Sequence, residues 1–149
     1  MAIRIDFANA DDLPHMADLL AELFTLESDF QPERAKQLRA LRTILDNPAT
    51  GRLFVLRVNG AVAGMANALI TLSTAEGGPV LLLEDVIVAR AQRGGGLGRQ
   101  LLEHVLAWAR QQGMTRVTLL ADRQNEAALA FYRKLGFAPS NMNVLRYQL

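Results

Sequence analysis

The sequence feature that most limits the possible folds of this chain is a glycine-rich segment. It lies between an apolar stretch and a helix-like stretch. It follows the apolar run of residues 80–89, precedes apolar residues at helical spacing, and reads Arg93-Gly94-Gly95-Gly96-Leu97-Gly98. Glycines let the backbone approach a ligand closely. The first amides of a helix lack internal partners and carry the positive end of the helix dipole. A strand, a glycine turn and a helix in this order therefore predict a cradle for phosphate groups.

Two common nucleotide-binding loops do not fit this segment. A Walker loop has Lys and then Ser or Thr after its last glycine, whereas Arg99 and Gln100 follow Gly98 here. A dinucleotide-binding loop needs a glycine three residues after its second glycine, and Arg99 or Leu101 occupies those places. Taken alone, the segment could also be a strand-to-helix turn that binds no ligand. A nucleotide triphosphate site remains a hypothesis, and it predicts stabilisation by ATP with magnesium.

A second motif follows after a further helix-like and strand-like stretch. It occupies residues 125–137 and reads Asn-Glu-Ala-Ala-Leu-Ala-Phe-Tyr-Arg-Lys-Leu-Gly-Phe. The two segments resemble the signatures Q/R-x-x-G-x-G/A and N-x-x-A-x-x-F-Y-x-x-x-G-F of the GNAT superfamily of N-acetyltransferases, in the family's order. The resemblance covers residues 80–137, and the first half of the chain matches only in the order of its elements.

This resemblance implies acetyl-CoA as co-substrate, and it implies no metal. Loop amides would hold the CoA pyrophosphate, the strand before the loop would pair with the pantetheine arm, and Asn125 would hydrogen-bond the arm from the other side. The cofactor-binding residues implied in this way are Val86, Ile87, Val88, Arg93, Gly94, Gly95, Gly96, Leu97, Gly98, Arg99, Asn125, Ala128 and Phe131.

Transfer of an acyl group from a thioester to an amine needs a base, an oxyanion donor and an acid for the departing thiolate. Tyr132 occupies the general-acid position of the family, and a phenol stays protonated at neutral pH. Glu84 and Asp85 are consecutive in an apolar strand, so one of them should point into the cleft. Glu84 resembles the candidate base of diamine acetyltransferases in this superfamily, although it could instead bind a substrate cation. Leu120 stands where some relatives carry another glutamate.

The pattern of apolar residues predicts one α/β domain over residues 1–149. The order of elements is β-α-α-β-β-β-α-β-α-β, with Asp11 or Asp12 capping the first helix and Asn59-Gly60 forming a hairpin turn. Residues 144–149 are predicted to be the last strand. Together with the resemblance, this order predicts a GNAT-like fold, with a mixed, mostly antiparallel sheet of six to seven strands and about four helices.

Composition narrows the classes of function and partner. The net charge of +1 creates no field that would gather nucleic acid or an anionic membrane, and the absence of cysteine excludes thiolate chemistry. With no signal-like or spanning stretch, the expected location is cytoplasmic. The expected acceptor is a small-molecule amine or a peptide or protein amine, and Glu27 and Asp29 could attract it. The resemblance is also compatible with a homodimer.

Besides the nucleotide triphosphate site, two classes of function fit the sequence. The first is an acetyl-CoA-dependent N-acetyltransferase in which Tyr132 is the general acid and Glu84 the candidate base. The second is a non-catalytic module that binds acyl-CoA and senses its level. The presence of Tyr132 together with a strand carboxylate favours catalysis.

Overall fold

A computed structural model describes residues 1–26 and 33–149 of the chain. Its strands are β1 (Ile3–Phe7), β2 (Gly51–Val58), β3 (Ala61–Ser73), β4 (Gly78–Val88) and β5 (Val117–Leu119). Its α-helices are α1 (Leu13–Leu26), α2 (Arg34–Asp46), α3 (Leu97–Gln111) and α4 (Glu126–Lys134). The acidic residues Glu27 and Asp29, expected near the acceptor, lie outside the described residues.

The five strands form one open sheet in the order β1-β2-β3-β4-β5. The first four strands are antiparallel to their neighbours, and β5 is parallel to β4. Asn59 and Gly60 have φ of 50° and 85°, so they form the tight hairpin turn that the sequence predicts between β2 and β3. The mixed, mostly antiparallel sheet and the four α-helices are therefore confirmed.

Each face of the sheet is covered by a separate helical layer. Helices α1 and α2 bury Met16, Leu20 and Leu41 against one face, and α3 buries Leu101 and Val105 against the other. The sheet contributes the following fully buried side chains to these two cores: Phe54, Val55, Leu56, Met65, Leu81 and Leu83. Burial of apolar surface on both faces accounts for the nearly continuous apolar sequence of β2, β3 and β4.

The prediction of six to seven strands is wrong for the described residues. Residues 138–149 form no strand, and all of them are exposed. Leu145 and Tyr147 are 92% and 89% exposed. Alternation of apolar residues favoured a strand at residues 144–149, but a strand also needs a neighbour to satisfy its backbone groups. In the described structure this segment makes no such pairing.

The start of the first helix also differs from the prediction. Asn9, rather than Asp11 or Asp12, caps the single turn Ala10–Asp12 that leads into α1. The Asn9 side chain accepts a hydrogen bond from the Asp11 amide, and the Asp12 carboxylate accepts one from the Asn9 amide at 2.8 Å. Asp12 also accepts two hydrogen bonds from the Arg57 guanidinium, both at 2.8 Å. Its carboxylate thus joins the start of the helical layer to β2.

Candidate functional site

Strands β4 and β5 separate beyond Leu83 and open a cleft. Their pairing covers only Leu81 to Leu83 on β4 and the three residues of β5. From Glu84 to Val88, no strand of the described residues pairs with β4 on that side. The cleft has a volume of about 640 Å³. Among the predicted site residues, those that line it are Glu84, Val86, Ile87, Val88, Arg93, Gly94, Gly96, Leu97, Gly98, Arg99, Asn125, Ala128, Phe131 and Tyr132. Gly95 does not line it.

The glycine loop closes one end of the cleft and leads directly into α3. Gly94 and Gly96 have φ of 88° and 78°, values that residues other than glycine rarely adopt. Gly96 is the N-cap of α3, and the first helical hydrogen bond runs from the Gln100 amide to the Gly96 carbonyl at 3.2 Å. The amides before Gln100 therefore have no partner within the helix and remain available to an anionic ligand.

Gly98 allows the two helices beside the cleft to approach each other. A Cβ atom at this position would lie 3.3 Å from Cζ of Phe131 on α4 and 3.8 Å from a methyl group of Val88. The missing side chain thus lets the Phe131 ring lie close to the start of α3. The two sequence motifs, which lie far apart in the chain, meet at this contact.

Arg93 has a structural role that its sequence position did not indicate. Its Nε donates to the Val88 carbonyl at 2.8 Å, and its Nη2 lies 3.1 Å from Oε1 of Glu22 on α1. The same carboxylate oxygen accepts a hydrogen bond from the Arg90 amide at 2.9 Å. The guanidinium therefore ties the end of β4 to α1, while also lining the cleft.

Helix α4 presents the second motif to the cleft. Asn125 caps this helix, and its side-chain oxygen accepts a hydrogen bond from the Ala128 amide at 3.1 Å. Tyr132 is half-buried, and its ring packs against those of Phe131 and Phe137 at centroid distances of 5.4 Å and 5.9 Å. These ring contacts restrict the direction in which the Tyr132 hydroxyl can point.

A β-bulge in β4 separates the two adjacent carboxylates. Asn67 of β3 pairs with Asp85 and Ala68 pairs with Leu83, so Glu84 is the extra residue. Glu84 is exposed and lines the cleft. Asp85 lies in register with Asn67 instead and accepts a hydrogen bond from the Asn67 amide nitrogen at 3.1 Å. As expected, one carboxylate of the pair faces the cleft, and it is Glu84.

The environment of Asp85 is strongly desolvating. Burial raises the pKa of the Asp85 carboxyl to about 6, the hydrogen bond from Asn67 opposes this shift, and the neighbouring charge of Glu84 adds to it. Asn67 is 6% exposed, and its own side-chain oxygen finds no hydrogen-bond partner among the described residues. An unpaired buried acceptor of this kind costs roughly 1–3 kcal/mol.

Comparison with known proteins agrees with this geometry. The acetyltransferase (GNAT) family matches residues 13–137, most of the chain. The chain belongs to the GNAT acetyltransferase family. The streptothricin acetyltransferase of Streptomyces lavendulae is 34% identical over 101 residues, which make up 67% of this chain and 51% of that protein. The chain spans about half the length or less of the curated relatives it matches.

Solved structures share the GNAT fold over nearly the whole chain. A possible acetyltransferase from Clostridium difficile 630 superposes with a TM-score of 0.90 at 19% identity, covering 100% of this chain and 99% of that one. The aminoglycoside N-acetyltransferase AAC(6')-Iy in complex with CoA has a TM-score of 0.83 at 21% identity, covering 99% of this chain and 95% of that one. At these identities the likeness concerns the fold alone.

Two polar residues of this GNAT domain escaped the sequence analysis. Asn67 is the only strongly polar residue within the apolar stretch from Ala61 to Ile70. Its isolation among apolar residues is the sequence signal that could have identified it. Glu22 gave no signal, because a glutamate on an amphipathic helix is ordinarily solvated. Its role depends on Arg93, which is 71 residues away in the chain.

In residues 1–26 and 33–149, no three His, Asp or Glu side chains are grouped so that they could hold a metal ion. The helices of these same residues include none with the length and apolarity needed to cross a bilayer.

Proposed function

We propose that this protein is an acetyl-CoA-dependent N-acetyltransferase that acts on a primary amine of a small molecule, peptide or protein. The observation that carries the proposal is the cleft between β4 and β5. It has helix amides without intrahelical partners at one end and Glu84 and Tyr132 along its walls. Along one side runs an edge of β4 that no strand of the described residues pairs with. To bind and react, a thioester of a phosphorylated carrier requires a cradle for its anion, a free strand edge and an acid-base pair.

The residues of the cleft fit coenzyme A. The amides from Gly94 to Arg99 would hold its pyrophosphate, because no helical carbonyl accepts hydrogen bonds from the amides of Leu97, Gly98 or Arg99. The edge of β4 at residues 86–88 would pair with the amide groups of the pantetheine arm. Asn125 can donate from its amide nitrogen, since its oxygen is occupied by the helix cap. Ala128 and Phe131 would pack beside the arm.

Acetyl-CoA supplies an acetyl group activated as a thioester, and the protein supplies the proton transfers. Glu84 accepts a proton from the acceptor ammonium, which frees the nitrogen lone pair for direct attack. A main-chain amide of β4 donates a hydrogen bond to the thioester carbonyl oxygen and stabilises the charge that develops there. Tyr132 donates its phenolic proton to the departing sulfur. No covalent bond to the protein is required.

The names of similar proteins suggest acceptors to test first. Matching relatives include streptothricin acetyltransferase and mycothiol acetyltransferase, and solved structures with the same fold include aminoglycoside acetyltransferases. These acceptor classes are small molecules. We therefore place small-molecule amines ahead of proteins as acceptors for this chain.

An acceptor panel with detection of free CoA tests the proposal. Acetyl-CoA is supplied with amino acids, diamines, aminoglycosides and a peptide bearing a lysine, and the thiol released above the hydrolysis background is measured. Release that depends on one acceptor class supports the enzyme. Tight binding of acetyl-CoA by calorimetry, with no acceptor-dependent release, would indicate the non-catalytic acyl-CoA-binding module instead.

A further inference from the structure

The segment of residues 144–149 and the outer edge of β5 each lack the partner that the other provides. Residues 144–149 have the alternation of a strand and are exposed, and β5 ends the sheet with no described strand on its second side. We propose that two copies of this chain exchange this segment, so that residues 144–149 of each copy add a strand to β5 of the other. This inference concerns an interaction surface and does not depend on the proposed catalytic function.

The segment has one apolar face when it is extended. Successive side chains of a strand point to opposite faces, so one face carries every second residue: Leu145, Tyr147 and Leu149. In the described structure all three side chains are exposed. A contiguous group of exposed apolar side chains is typical of a surface that binds another protein.

A groove beside β5 offers the apolar surface that this face needs. It is a pocket of about 250 Å³ between β5, α3 and the end of α4, and its apolar lining includes Met114, Val117, Leu135 and Phe137. The side chains of Val117 and Leu119 pack against the core under α3, which is the same side of the sheet. A strand added to the edge of β5, with its apolar face on this side, would therefore cover the groove.

Two arginines of the groove suit the central residue of the apolar face. Arg110 and Arg116 line the groove, and neither belongs to an ion pair within residues 1–26 and 33–149. A guanidinium group stacks favourably on an aromatic ring. Tyr147 would supply that ring between Leu145 and Leu149, so the chemistry of the groove matches the order of side chains along the segment.

A second copy fits this surface better than a different partner. Phe137 lines the groove, but residues 138–143 are exposed and the segment that follows leaves the groove of its own copy uncovered. A partner of another kind would cover β5 and still leave residues 144–149 in water. Reciprocal exchange between identical chains covers both edges and both segments, and it closes as a two-fold dimer.

Sedimentation equilibrium of matched variants tests the proposed dimer. We expect the native protein to have twice the chain mass of 16.4 kDa. The double substitution Leu145→Ser with Tyr147→Ser should raise the dissociation constant of the dimer by about tenfold or more. These side chains are exposed in the single chain, so the substitutions should leave its folding intact. Leu72→Ser removes an exposed leucine of β3, 83% exposed, and should keep the native dissociation constant.

Cysteine pairs distinguish exchange from pairing within one chain, because the chain has no cysteine of its own. Thr118→Cys on β5 is co-expressed with a second chain that carries Val144→Cys, Arg146→Cys or Gln148→Cys, three positions on the face opposite Tyr147. A disulfide that joins the two different chains supports the exchange.

Three outcomes would overturn the inference. The first is a native protein with the mass of a single chain. The second is a disulfide that forms only when both cysteines are in the same chain, which would mean that the segment folds back onto its own β5. The third is a dimer that the double substitution does not weaken, since such a dimer would use another surface.

Discussion

The guanidinium Nη2 of Arg93 lies 3.1 Å from Oε1 of Glu22, and this contact joins the glycine loop to the first helix. The two side chains are 37% and 32% exposed, so solvent weakens their attraction. The contact nevertheless positions Arg93, whose Nε also donates a hydrogen bond to the Val88 carbonyl at the end of β4. It links α1 to the glycine loop and to the end of β4.

Loss of this ion pair should weaken CoA binding slightly. Glu22→Gln should reduce CoA affinity by about two- to fivefold, equivalent to about 1 kcal/mol or less, because the entrance to the loop is held less firmly. Calorimetric titration with CoA measures this. Asp18→Asn removes another exposed carboxylate of α1, one paired with Arg34, and should leave CoA affinity unchanged. Equal effects of the two substitutions would show that the Glu22 contact is not specific to the loop.

The backbone of Gly96 should be sensitive to a side chain, unlike that of Gly95. Gly96→Ala should lower the free energy of unfolding by about 1–2 kcal/mol, because φ at this position is 78°. A Cβ atom at Gly95 would meet no atom within 4 Å, and φ there lies outside the left-handed region, so Gly95→Ala should leave the stability near that of the native protein. Urea denaturation compares the two variants. A similar loss of stability in both would contradict the conformation described here.

Removal of the Tyr132 hydroxyl should affect turnover rather than co-substrate binding. Tyr132→Phe should lower kcat by about 100-fold or more, the magnitude typical of general acid catalysis, and leave CoA affinity nearly unchanged. Single-turnover CoA release and calorimetry measure the two quantities. Tyr147→Phe changes the other tyrosine, which is 89% exposed, and should have no effect on either. An unchanged kcat in Tyr132→Phe would remove the acid role.

Ionisation of Asp85 should destabilise the fold at neutral and alkaline pH. Burial raises the pKa of this carboxyl from an ordinary value of 3.8 to about 6, so the folded state retains the proton more strongly than the unfolded state. Stability is therefore lost as the pH rises from 3.8 towards 6, and the loss is complete above the folded-state pKa. The difference between these values corresponds to at most about 3 kcal/mol.

Asp85→Asn should therefore stabilise the protein only above the titration range of Asp85. Unfolding by urea at about pH 4 and about pH 8 measures the difference, with a gain expected at the higher pH alone. Asp11→Asn, which changes an exposed carboxylate, should give no such pH-dependent gain. A gain for Asp85→Asn that is equal at both pH values would mean that charge is not its cause.

Much of the fold could be predicted because its signals are local. The left-handed turn at Asn59 and Gly60, the cap at Asn125 and the helix stops at Gly113 and Gly136 each depend on the conformations that one or two residues allow. The periodicity of apolar residues located all four helices and the five strands of the sheet. The two glycine-containing motifs indicated the family for the same reason, since each is a short run of adjacent residues.

The features that required the tertiary structure all depend on neighbours distant in the chain. Residues 144–149 have the alternation of a strand, but alternation does not provide a strand to pair with. The positions of Glu84 and Asp85 follow from a bulge opposite β3, and a one-residue change of register reverses the faces of a strand. The partner of Arg93 is likewise distant, since Glu22 lies in α1, 71 residues away in the chain. Local conformational preference thus defined the elements and the motifs of this protein, whereas the pairing of distant backbone and side-chain groups decided which carboxylate faces the cleft.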